Sequence, residues 1–251
     1  MERNYIKIEN VSSTTIKGLY IKDLPPITKA PMRYIKEEID GRDGDLITRL
    51  GYGAYDKEIT IGLAKDFDID QVIKFFNPTP TTNAWPIPPY CTFIFSNEPD
   101  RVYWGQILEQ IDYNALLSFK TATVKIHVQP FKYQRGNDSV SGTTSITFTN
   151  EGNIASKPLI VFTGYGTISV NLNGVEKFVC DLGGDVNNQT TLFLFTAWSE
   201  ACKSWSYTLA NRQVTGDYSK FQVPIGNNTI TFTSSDGAVT SSYVQLRSRW
   251  I

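Results

Sequence analysis

Between Ser145 and Arg249 the chain passes through nine short stretches rich in β-branched and aromatic residues, several of them closed by Gly, Asn, Asp or Pro, with no helical periodicity between them. This succession narrows the possible folds more than any other feature. A strand with one apolar face has to bury it, and strands joined only by turns do so as antiparallel hairpins in sheets stacked face to face. The stretches are 145–149, 158–163, 167–172, 175–180, 191–196, 205–209, 221–224, 229–233 and 243–249. In the third, Ile168, Val170 and Leu172 alternate with polar residues and lead into Asn173-Gly174. Asn-Gly accepts positive φ at both central positions of a type I′ turn, which makes it the strongest hairpin signal in the chain. The segment therefore predicts an antiparallel β-sandwich.

The first part reads differently. Residues 1–135 carry 17 basic and 17 acidic side chains, whereas the remaining 116 residues carry 7 and 8. Ser, Thr and Asn rise across the same point from 21 to 39, the composition of strands whose outward positions hold small hydroxyls and amides. The polar run Gln134 to Ser139 lies at the change, so the expected domains are 1–135 and 136–251.

In the first domain the strand signals are Tyr5 to Ile8, Ile16 to Ile21, Met32 to Asp40 with Leu46 to Leu50, Lys57 to Leu63, Thr92 to Phe95, Arg101 to Leu108 and Thr121 to Val128. The long pair at 32–50 flanks Gly41-Arg42-Asp43-Gly44-Asp45, where Asp43-Gly44 predicts a tight turn, and together they predict a protruding hairpin arm. One short helix is expected: Ile69, Val72, Ile73 and Phe76 form an apolar stripe behind the N-cap Asp68, with Gln71 completing a capping box and Pro78 ending it. The Pro-rich run from Pro78 to Pro89 is expected as an extended loop.

Little of this can support bond chemistry. One histidine, His127, excludes multi-histidine metal centres, and its neighbours place it on the polar face opposite Val124, Ile126 and Val128. Three cysteines with no C-x-x-C spacing exclude a disulfide framework and a cysteine zinc site. Asp40, Asp43 and Asp45 lack the calcium-loop spacing and read as turn residues. Neither a P-loop nor a G-x-S-x-G is found, and Gly164-Tyr165-Gly166 lacks the later glycine and helix of a dinucleotide site. Lys plus Arg (24) balances Asp plus Glu (25), so no global field recruits nucleic acid or anionic lipid. The opening MERNYIKIENVSS has no apolar core of a signal peptide, and no run of about 18 apolar residues follows; the chain reads as made in the cytoplasm and not inserted in a membrane. No cofactor or metal is expected.

Three stretches taken together resemble the distal tail protein (Dit) family of long-tailed phages infecting Gram-positive bacteria. They are Ile39 to Gly44 with the strand after it, Phe95-Ser96-Asn97-Glu98-Pro99-Asp100-Arg101-Val102-Tyr103-Trp104-Gly105, and Gln129-Pro130-Phe131-Lys132-Tyr133. The second is the most specific; the family pattern has Asp where this chain has Asn97. The second part resembles the family at Asn150-Glu151-Gly152, the Asn173-Gly174 hairpin, Asn211 to Tyr218, Pro224 to Ile230 and Arg249-Trp250.

The resemblance implies a mainly β, non-enzymatic virion protein. Its N-terminal β-sandwich, or belt, carries one short helix and a hairpin arm, and a galectin-like antiparallel β-sandwich follows. Implied partners are other copies in a hexameric ring, the tail tube protein, the tail-associated hub protein, and peripheral baseplate or receptor-binding proteins. The implied location is the tail tip of a virion assembled in the host cytoplasm, with DNA passing through the ring unread. On this reading Asp40, Gly41, Arg42, Asp43, Gly44 and Asp45 are the candidate oligomerisation arm. The alternative is a carbohydrate-binding module for host cell-wall sugars, with Trp198, Trp205, Tyr207 and Tyr218 as a stacking platform.

Overall fold

A computed structural model describes residues 3–80, 90–136, 139–203 and 208–251. The sequence-predicted loop at 81–89, and Trp205 and Tyr207, lie outside the described residues. The chain divides into two compact units, residues 1–135 with Ile251 and residues 136–250.

The first unit is built on one sheet. Its strands are β1 (Ile6–Ile8), β2 (Val11–Ser12), β3 (Leu19–Asp23), β6 (Tyr55–Leu63), β7 (Cys91–Phe95), β8 (Arg101–Gln106) and β9 (Thr121–Gln134), with β4 (Met32–Glu38) and β5 (Asp45–Tyr52) pairing apart from it. The spatial order is β2-β1-β7-β8-β9-β6-β3, antiparallel throughout. Alternation decides which face is core: Ile59, Ile61 and Leu63 of β6 and Val124, Ile126 and Val128 of β9 are at most 4% exposed. Helices α1 (Ile69–Phe76) and α2 (Tyr113–Phe119) bury Val72, Phe75, Phe76 and Leu116 in the same cluster. At β3 the sheet's edge is closed by side chains: Arg3 donates to the Leu19 carbonyl (3.0 Å) and Asn4 to that of Lys22 (3.1 Å).

Two helical details depart from the expectation. Asp68 caps α1 as predicted, accepting from the Asp70 and Gln71 amides, but the buried face turns toward Phe75 and leaves Ile73 38% exposed. An aromatic ring offers more area to bury than Ile73 does, so the helix settles on Phe75 and Phe76. The second helix, α2, was not expected; Asp112 caps it by accepting from the Ala115 amide (2.8 Å).

The second unit is two sheets face to face. The strands are β10 (Ser139–Gly142), β11 (Ser145–Asn150), β12 (Leu159–Tyr165), β13 (Thr167–Leu172), β14 (Val175–Asp181), β15 (Thr190–Phe195), β16 (Glu200–Lys203), β17 (Thr208–Leu209), β18 (Val214–Gly216), β19 (Gly226–Ser234) and β20 (Ala238–Gln245). One sheet runs β10-β20-β12-β15-β16-β17 and the other β11-β19-β13-β14-β18. Between them lie Ile160, Phe162, Leu192 and Leu194 from the first and Ile168, Val170, Leu172 and Phe178 from the second. A smaller cluster of Leu159, Val161, Phe193, Phe195 and Cys202 uses the alternate positions of β12 and β15. Asn173 and Gly174 turn β13 into β14 with φ of 52° and 80°, as the I′ turn requires. Residues 221–224 form no strand beyond the isolated bridge of Val223 to Ser156, although Phe221 and Val223 are fully buried. The mainly β class is that expected from the sequence.

Candidate assembly interface

The hairpin of β4 and β5 leaves a run of large apolar residues uncovered. Met32, Tyr34, Ile35, Ile39, Leu46, Ile47 and Leu50 are 36–56% exposed, and no residue of either strand is buried. Register explains why the hairpin does not fold back onto its own sheet. Tyr34 lies opposite Arg49 and Lys36 opposite Ile47, on one face; Ile35 lies opposite Thr48 and Glu37 opposite Leu46, on the other. Apolar and charged groups alternate on both faces, so neither is a core face. Lys36 ties the distal end by ion pairs to Glu38 (3.1 Å) and Asp45 (3.2 Å).

The candidate arm residues Asp40 to Gly44 are all exposed and form the tip, with Asp45 beginning β5. The connection is longer than the tight Asp43-Gly44 turn expected. It spans 39–44, with the Arg42 amide donating to the Ile39 carbonyl (3.1 Å) and positive φ at Gly41 (79°) and Gly44 (80°) only. Gly41 takes the positive-φ position, so Asp43 need not. Among the described residues no acidic, histidine and cysteine side chains cluster as metal ligands.

At its base the hairpin is held firmly. The Gly53 amide donates to the Pro31 carbonyl (2.9 Å), Tyr52 packs edge-on against Phe131 (5.7 Å between centroids), and Ala30 is 1% exposed. Residues 24–31, which lead into β4, have no regular secondary structure. Asn97 donates to the Pro25 carbonyl (2.9 Å) and Lys57 Nζ to the Pro26 carbonyl (3.0 Å).

Lys57 belongs to a buried polar network that the sequence reading missed, and the exposed Asn97 precedes its acidic member Glu98. Glu98, in the β7–β8 turn, accepts from Lys132 Nζ (2.5 Å) and from the Tyr103 hydroxyl. Lys57 lies 4.9 Å from the Tyr103 ring centroid and 5.7 Å from those of Tyr55 and Phe95. Lys57 is 3% exposed and Lys132 8%. Burial lowers the Lys57 ammonium to about 8, with Glu98 opposing and Lys132 reinforcing the shift. Burial, then the bond to Glu98, drives the Tyr103 phenol far above its usual range. A parity signal was available: Lys57 shares a face with Ile59, Ile61 and Leu63, and Lys132 continues the Val124, Ile126, Val128 face of β9.

The network accounts for the Phe95 to Gly105 motif. Phe95 and Tyr103 pack edge-on at 5.3 Å, Ser96 bonds the Tyr5 amide (3.0 Å), and Trp104 packs on Tyr133 at 5.3 Å. At Gly105 any Cβ would fall 2.4 Å from the His127 carbonyl oxygen. His127 itself is on the outer face beside Asp56 (2.7 Å).

Trp198 and Tyr218, the two candidate aromatics among the described residues, fall in separate clusters. Trp198 packs on Phe195 at 5.5 Å in the smaller cluster, with the Arg247 guanidinium 4.7 Å from its ring centroid. Tyr218 packs on Phe178 at 4.7 Å against the core between the sheets. No helix among the described residues is long and apolar enough to cross a membrane.

No protein-family model matches the sequence, and no curated protein does. Solved structures do. The chain shares its fold with a protein of a phage hub adsorption apparatus. The crystal structure of the SPP1 Dit protein (gp 19.1), described as a paradigm of the hub adsorption apparatus in phages infecting Gram-positive bacteria, matches over 97% of this chain and 98% of that one, with a TM-score of 0.66 and 16% identity. The phage P2 baseplate in its activated conformation with Ca aligns over 97% of both chains at a TM-score of 0.43 and 8% identity.

Proposed function

We propose that this chain is a structural component of a phage tail tip, acting by shape and not by bond chemistry. Copies join through the β4–β5 arm into a closed ring of six. The ring links the tail tube to the tail-associated hub protein and offers its outer surfaces to peripheral baseplate or receptor-binding components. The fold shared with the SPP1 Dit protein supports the class. The observation that carries the reading is the hairpin with seven large apolar residues 36–56% exposed. An isolated two-stranded hairpin is marginal in water, and seven large apolar side chains left uncovered on one such hairpin ask for a partner. An arm that reaches a different surface on its neighbour makes a heterologous contact, which closes into a ring when the rotation permits.

The test is size exclusion with light scattering and negative-stain microscopy of the full chain beside a variant lacking residues 38–47. A six-fold annulus that falls to protomers in the deletion supports the reading. A chain that stays monomeric at high concentration, or a deletion that leaves the copy number unchanged, overturns it.

A further inference from the structure

We propose that the Glu98–Tyr103–Lys132–Lys57 network, with Asn97 beside it, is a clamp that fixes the direction in which the arm leaves the first unit, with Lys57 and Asn97 as its positioning residues. The inference rests on the preceding reading that the arm is the assembly element, and adds what aims it.

Residues 24–31 are an irregular strap between a core strand and an exposed hairpin, and prolines stand at 25, 26 and 31. Prolines offer carbonyl acceptors without amide donors, so such a strap cannot be tied by a sheet ladder. Its carbonyls need donors from elsewhere, and three of them have one: Pro25 from Asn97, Pro26 from Lys57, Pro31 from the Gly53 amide. Ala30, between Pro26 and Pro31, is buried. Two ties fall on adjacent carbonyls at the β3 end and the third at Pro31 beside β4, so losing either of the first two loosens the strap at its β3 end and leaves Pro31 to hold it beside β4.

Stability alone does not explain a lysine at position 57. The site faces Tyr103, Tyr55 and Phe95 at a core parity position, where an apolar residue of similar length avoids the cost of desolvating an ammonium. What methionine cannot do there is donate to the Pro26 carbonyl. Glu98 then has a clear task. It supplies the negative charge that lets two buried ammonium groups coexist beside one ring system, and Tyr103 orients it.

The test uses the full chain as Lys57→Met, Asn97→Ala and, as a control, Ile59→Val, which trims the same face of β6 without touching the strap. Hydrogen exchange of the strap amides is read on the protomer, and the protein concentration for half-assembly is read separately. The expectation is that Lys57→Met and Asn97→Ala each speed strap exchange about tenfold, the effect of losing one hydrogen bond, and raise the half-assembly concentration. The β6–β9 ladder and Ile59→Val keep wild-type strap exchange. Should Lys57→Met fail to fold, Asn97→Ala, an exposed position, carries the same test. Unchanged strap exchange in the foldable variants, or equal acceleration in Ile59→Val, overturns the clamp. Because strap exchange needs no ring, that outcome is distinct from a deletion of 38–47 that leaves the copy number intact, which overturns the assembly reading instead.

Discussion

Two hairpins in this chain have similar lengths and glycine-dependent turns, yet opposite fates. In β13–β14 five apolar residues, Ile168, Val170, Leu172, Phe178 and Cys180, share one face and are at most 4% exposed, with only Val175 at the turn and Val179 on the other face outside that set. In β4–β5 the apolar residues are divided between two faces and none is buried. Turn chemistry made both hairpins; the distribution of apolar residues between faces decided which one became core. A one-sided hairpin completes a sandwich within its own chain, whereas a two-sided one has to find its cover elsewhere.

The largest contrast is expected from truncation. Phe178, fully buried between Tyr218 and Phe221, should cost about 3–5 kcal/mol of unfolding free energy as Phe178→Ala. Tyr34→Ser with Ile47→Ser in the arm should stay within about 1 kcal/mol in the protomer while weakening assembly. Denaturant melts of both proteins at concentrations below assembly make the comparison, and an arm variant as damaged as Phe178→Ala would end it.

Glycine substitution asks the same question of the turns. Gly174 and Gly44 both have φ of 80°, and at neither would a Cβ meet an atom within 4 Å, so Ala brings backbone strain without a clash. Gly174→Ala should lose about 1–2 kcal/mol globally. Gly44→Ala should leave the global melt unmoved, because the tip frays independently of either core. Equal losses would mean that the arm is coupled to the fold.

At the root of the arm the contrast becomes pH-dependent. The folded state holds Lys57 at about 8 against an ordinary 10.5, so the unfolded chain binds more protons between these values and stability from this group rises with pH. The stability of wild type minus that of Lys57→Met should increase by about 1 kcal/mol from pH 7 to pH 9, measured by urea melts. A flat difference would mean that the ammonium is solvated.

The smallest effect is expected in acid. Asp236 accepts from the Thr167 amide at the start of β13, and this bond holds its carboxyl below the usual 3.8. A depressed carboxyl contributes stability above its unfolded pKa and loses it as pH falls through the folded one. Melting temperature should therefore fall slightly less steeply below pH 4 in Asp236→Asn than in wild type. Parallel slopes would remove Asp236 from the account.

Legibility followed the range of the interactions. Asn173-Gly174 and the Asp68 cap were readable because their partners lie within three residues, and the arm because its alternation and glycines are contiguous. The face of α1 was misjudged because Ile73 and Phe75 are both apolar and only the opposing sheet chooses between them. Residues 238–242 of β20, Ala-Val-Thr-Ser-Ser, carry little apolar signal and are strand because β12 pairs along them and β10 joins at Ser242. The buried network was hidden for a different reason: Glu98, Lys132 and Lys57 meet only through strand pairings, although both lysines lie at core parity, Lys57 one step before Ile59 and Lys132 two steps after Val128.

The closed edge at β3 bears on how growth stops. A subunit with an adhesive arm and a bare strand edge could zip laterally into ribbons of indefinite length. By occupying the Leu19 and Lys22 carbonyls with its own Arg3 and Asn4, the polypeptide removes two acceptors that an added strand would use there.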